Sequence, residues 1–139
     1  MISENFSWSE SIYLKYDSIE YDLHNDFDFI EINYIIETQS VTLKWKRGTG
    51  NWVNQNQPDL IVLNISNVSQ FEFKPRDSEM PFTEDDCLES FGFISDDDWC
   101  DGQFWADKIP DESWLWSFIF QSGAEIIIGA KSAIVQIEP

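Results

Sequence analysis

Basic residues are scarce in this chain: eight Lys and Arg stand against 26 Asp and Glu, for a formal charge of −18. Nucleic acid and anionic membrane are both repelled by such a surface, so neither is expected as a partner. Histidine occurs once, at His24, amid several acids in YDLHNDFD. Nucleophilic catalysis needs a nucleophile, a base and an orienting group, and the chain has no G-x-S-x-G elbow to pair with that one imidazole. Cysteine occurs twice, at Cys87 and Cys100. Two are too few for a disulfide framework, and neither has the C-x-x-C mate that structural zinc favours. Long apolar runs are missing, so no segment is expected to span a bilayer. The opening MISENFSWSESIYL lacks the basic and apolar regions of a secretion signal, which predicts a cytoplasmic protein with reduced thiols. Gly48 and Gly50 in KRGTGN fit neither a phosphate loop nor a dinucleotide fingerprint and suit a turn instead.

Aromatic residues are plentiful. Eleven Phe and seven Trp sit in a chain of 139 residues that is 42% hydrophobic. A disordered acidic tail is poor in such residues, so residues 1–139 are expected to fold as one domain with a very acidic surface.

Alternation predicts strands. Val41 to Lys46 alternates apolar with polar. In residues 27–37, Phe27 and Phe29 fall on one face while Ile30, Ile32, Tyr34 and Ile36 fall on the other, which a bulge near Phe29 would reconcile. Leu60 to Leu63 is continuously apolar, as in a strand covered on both faces. Phe71 and Phe73 mark another strand, and Trp114, Trp116, Phe118 and Phe120 share a face of the next. Ser122-Gly123 reads as a two-residue hairpin turn. Ile126 to Ile128 returns, and a last strand runs through Ile137. Thr83 resembles an N-cap, with Glu84, Asp85 and Asp86 in a first turn and Leu88 and Phe91 facing inward, which predicts a short helix to Gly92. No helical crossovers separate the strands, so pairing is expected to be mostly antiparallel. The expected fold is mainly β, a curled sheet or small sandwich of about seven strands with one short helix, or α+β if that helix packs on the sheet.

The acids are unevenly placed. Residues 77–112 hold thirteen of them and one base, Lys108, and residues 17–37 hold seven with no Lys or Arg. SDDDWCDGQFW, residues 95–105, tests a metal reading. An EF-hand loop started at Asp97 would place Asp101 and Gly102 correctly but Trp99 at position 3 and Lys108 at position 12. Neither can bind a cation. An irregular calcium site would use Asp96, Asp98 and Asp101. The solvated acidic loop is favoured over both, so no metal, cofactor or catalytic residue is assigned.

Length, acidity, a strand-rich plan and the FTEDDCLESFGF segment together resemble bacterial immunity proteins of toxin–immunity systems. That resemblance implies a non-enzymatic inhibitor that covers the basic surface of a cognate toxin, a nuclease cleft being one such surface. The contacts it would use are Asp96, Asp97, Asp98, Trp99, Asp101 and Trp105, with Glu84, Asp85 and Asp86 as a second patch. A DNA mimic with regularly spaced carboxylates is one alternative. A small β-rich carbohydrate-binding module or enzyme, with Trp stacked on sugars, is another. A structural protein with a merely solubilising surface is a third.

Overall fold

The computed structural model describes residues 1–96 and 101–139. It is mainly β, with twelve strands: β1 Ile2–Ser3, β2 Ser7–Ser9, β3 Tyr13–Tyr16, β4 Ile19–Asp22, β5 Phe27–Ile35, β6 Ser40–Arg47, β7 Leu60–Ser66, β8 Gln70–Lys74, β9 Leu88–Ile94, β10 Leu115–Phe120, β11 Glu125–Gly129 and β12 Ser132–Glu138. They form a five-stranded sheet in the order β1-β12-β7-β6-β5, a four-stranded sheet β8-β11-β10-β9, and a three-stranded meander β2-β3-β4. Every pairing is antiparallel except β1 with β12.

The two larger sheets pack as a sandwich. Aromatic rings join them: Phe29 lies 4.7 Å from Phe120, Tyr34 lies 4.8 Å from Phe71, and Trp45 lies 6.1 Å from Phe118. The meander contributes Trp8, stacked on Phe91 at 4.0 Å and set edge-on to Trp116 and Phe118. One hydrophobic cluster thus runs through all three sheets. Trp116, Phe118 and Phe120 are buried on one face of β10, as the alternation predicts. Ile61, Val62 and Leu63 are all buried in β7. Val62 points away from the core but lies between Lys44 and Gln136 across the ladder, whose stems cover it.

The expected bulge near Phe29 is present. The β5–β6 ladder skips Ile30, so Phe29 faces Trp45 and Ile32 faces Leu43 on the same side. The expected helix is shorter than the sequence implied. Only Phe82–Asp86 coils, as a 3-10 turn with Pro81 in the N-cap position and no side-chain cap bond. Leu88 and Phe91 lie in β9 instead. The β9–β10 ladder skips Glu89, so two residues three apart reach the core without a helix. The Ser122-Gly123 turn is also longer than predicted. Phe120 and Ala124 bond across a three-residue loop, and Gly123 takes the left-handed conformation with φ of 87°. That is a turn closed by a glycine bulge rather than a two-residue connection.

Gly92 matters for a different reason. Phe104 pairs with Phe93 beyond the edge of β9, which brings Gln103 over Gly92. Gln103 Nε2 donates to the Ser117 carbonyl at 3.0 Å, and Ser90 Oγ donates to Gln103 Oε1 at 2.6 Å. Ser117 Oγ, fully buried, donates to Glu125 at 2.6 Å. A methyl group at Gly92 would collide with the Gln103 side chain and come within 2.7 Å of the Phe104 carbonyl oxygen. Gly92→Ala is therefore expected to destabilise by about 1–3 kcal/mol. Adding Gln103→Ala should restore only part of the loss, because the backbone oxygen stays. Thermal unfolding of the two variants checks this, and full recovery in the double variant would contradict the account.

Candidate docking surface

Of the loop residues expected to contact a partner, Asp96 and Asp101 are exposed, while Asp97, Asp98 and Trp99 lie outside the described residues. Trp105 is 37% exposed and is not free-standing. Its ring packs 5.9 Å from Phe93 and 6.1 Å from Phe91, so it borders the core. Beyond it opens a groove of about 690 Å³, with Trp8 and Trp116 in its wall and Glu10, Asp107, Lys108 and Glu112 around it.

The second predicted patch, Glu84, Asp85 and Asp86, sits on the 3-10 turn, which packs against β5. Its three acids are not equivalent. Asp85 is tied to Arg76 at 2.7 Å, and that hydrogen-bonded guanidinium holds its carboxyl below the usual range. Asp86 is shifted the other way, by burial first and then by Asp28 and Glu84. Asp28 comes from the distant 17–37 segment. The two acidic segments, separate in sequence, therefore meet at this turn. Sequence reasoning missed Asp28 as part of the patch. The signal available was the run from Asp17 to Glu37 without a Lys or Arg.

Cys87 sits at the same junction. Its thiol is pushed up to about 11, by burial first and then by Asp86, Glu84, Asp28 and Asp22. His24 is beside it, with Nδ1 2.6 Å from the Leu88 carbonyl oxygen and 3.6 Å from Cys87 Sγ. A carbonyl only accepts, so Nδ1 carries the proton and cannot act as base toward the thiol. This is a structural contact and not a nucleophile–base pair. Cys87 is expected to react with iodoacetamide at pH 8 at least about tenfold more slowly in the folded protein than in urea, since only thiolate attacks. Peptide mapping by mass spectrometry reads it at Cys87 alone, and equal rates would contradict the thiol's suppression.

Next to the junction lies a second groove, of about 570 Å³, between β5 and β8. Phe29 and Phe120 border it, Ile30, Phe73 and Phe82 stand around it, and Asp86 is on its lining. Four ion pairs link acids to Lys or Arg among the described residues: Glu31–Lys44, Asp59–Arg47, Glu125–Lys74 and Asp85–Arg76. Asp28, Glu84 and Asp86 are in none of them. Among the described residues no cluster of His, Cys, Asp or Glu is arranged to hold a metal ion, and no helix is long and apolar enough to cross a membrane. The calcium set of Asp96, Asp98 and Asp101 includes a residue outside the described ones.

No family model, curated protein or solved structure matches the chain.

Proposed function

We propose that this protein is a docking inhibitor that covers a basic partner, in the manner of an immunity protein neutralising a cognate toxin. The observation that carries this reading is the meeting of two acidic segments at the Phe82–Asp86 turn, where Arg76 neutralises only Asp85. Gathering like charges raises the free energy of the isolated molecule, and a cationic partner recovers it on binding. An apolar groove alongside supplies the desolvated contacts that charge alone does not. The contacts proposed are Asp28, Glu84 and Asp86, with Asp96, Asp101 and Trp105 as a second area.

Co-expression with the product of a neighbouring gene tests the reading. Wild type is expected to protect growth from a basic toxin. The variant Asp28→Asn/Glu84→Gln/Asp86→Asn is expected to lose that protection, and Asp96→Asn/Asp101→Asn to keep most of it. Failure of wild type to protect against any neighbouring product would remove the immunity reading.

One observation favours a carbohydrate-binding module instead. Three tryptophans, Trp8, Trp105 and Trp116, line the larger groove. The face of a sugar ring would stack on Trp105, which is 37% exposed there. Quenching of tryptophan fluorescence by oligosaccharides, abolished by Trp105→Ala, would support that alternative.

A further inference from the structure

Among the described residues β5 lies at the end of the five-stranded sheet, paired with β6 on one side only. A strand edge presents unpaired N–H and C=O groups, and proteins blunt it with Lys, Pro, brevity or a cover. The other edges of the two large sheets are managed this way. β1 is two residues long. β8 ends in Lys74-Pro75-Arg76, and β9 is met by Phe104 and by Ser11. β5 is nine residues long, and no Lys, Arg or Pro occurs between residues 17 and 37. Its one irregularity is the bulge at Ile30, beyond which Glu31–Ile35 runs in regular register. Apolar side chains gather along it: Ile30 is 53% exposed, Tyr34 42%, Ile35 40%, and Ile36 just past the strand 77%. The apolar groove of about 570 Å³ opens beside this edge, with Phe73 and Phe82 exposed across it.

We infer that β5 takes up an extended basic segment of a partner protein as a sixth strand of its sheet. The inference rests on the docking reading above and gives it a binding mode. A strand's side chains alternate, so every second residue would enter the groove between β5 and β8 and the rest would lie on the outer face. Apolar residues suit the groove. Cationic ones suit the outer face, where Asp28 stands, and the rim, where Glu84 and Asp86 stand. Charge selects this occupant over a second copy of the chain. Two β5 edges would bring Asp28, Glu31 and Glu37 of each copy together, in molecules of charge −18.

The test uses the isotopically labelled full chain with a capped octapeptide of alternating Lys and Val at low salt. Amide exchange, read by NMR, is expected to slow about tenfold at alternate residues of Glu31–Ile35. A peptide N-methylated at every lysine and valine keeps charge and apolarity but loses all of the strand's donors, and is expected to bind about tenfold more weakly. A Glu-Val octapeptide is expected not to bind. Equal binding of the N-methylated peptide, or no protection of β5 at about 1 mM peptide, overturns the proposal. A dimer in sedimentation that itself protects β5 would also overturn it, in favour of a second copy. Protection elsewhere, with growth protection still lost in the charge variant, sinks strand addition and leaves acidic docking standing.

Discussion

Phe118→Ala is expected to destabilise the protein by about 3–5 kcal/mol. The ring of Phe118 is fully buried and touches all three sheets: Trp8 of the meander at 5.8 Å, Trp45 of the five-stranded sheet at 6.1 Å, and Phe91 of its own sheet at 5.2 Å. Its removal opens one cavity against three walls, none of which can move in without leaving the other two. Domains of this size are stable by about 5–15 kcal/mol, so the loss is a large share of the whole. Urea unfolding followed by tryptophan fluorescence should show a lower midpoint with an unchanged slope. Phe82→Ala is the control. That ring is 72% exposed, and its loss should cost no more than about 0.5 kcal/mol. A Phe118→Ala penalty under about 1 kcal/mol would mean the layers do not share this ring.

The second large effect is kinetic. Neutralising Asp28, Glu84 and Asp86 is expected to lower the association rate with a basic partner by about 10- to 100-fold at low ionic strength. Added salt should shrink the difference, because screening weakens steering in wild type more than in the variant. Surface plasmon resonance across a salt series separates the two rates. A change confined to dissociation would mean these acids act by contact and not by field. The free protein should report the same charges through pH. Burial and Asp28 raise the Asp86 carboxyl in the folded state, so the fold holds that proton more readily than the unfolded chain does. Stability from this group therefore rises as pH falls from neutral through the raised value, and levels off below the ordinary one. Asp85, held low by Arg76, works oppositely: its contribution is lost as pH falls below the ordinary carboxylate value. The Asp86→Asn variant should lack the rise and keep the acid loss, which melting temperature against pH would show.

Two bulges explain where the sequence was and was not a sufficient guide. Phe29 and Ile32, and again Leu88 and Phe91, are three apart and share the core face. In the first pair the flanking alternation was long enough on both sides to expose a phase change, and a bulge was the natural reading. In the second, TEDD preceded the pair and matched the start of a helix, so the same spacing read as helical. The TEDD signal is overridden by pairing: β9 is decided by its partner β10. The meander was invisible for a related reason. Trp8 and Leu14 lie on short strands whose alternation is brief, yet Trp8 stacks on Phe91 more than eighty positions away. The mainly β class, the antiparallel pairing and the core face of β10 were legible because each is a property of one strand or of the loops between strands. The acidic junction was half legible: both segments stand out by composition, but their meeting depends on packing the 3-10 turn against β5.

The parallel pairing of β1 with β12 has a consequence for how the molecule is made. β7, a largely apolar strand, takes β12 as one neighbour, and β12 in turn holds β1. On the ribosome the chain must emerge nearly to Glu138 before that flank of β7 can close. Until then a nascent chain carries an open, hydrophobic strand edge, the kind of surface that recruits chaperones or other nascent chains. Folding dominated by such distant pairings falls in the slow, millisecond-to-second class. Yield in cells should therefore respond to chaperone supply more than to small changes in final stability.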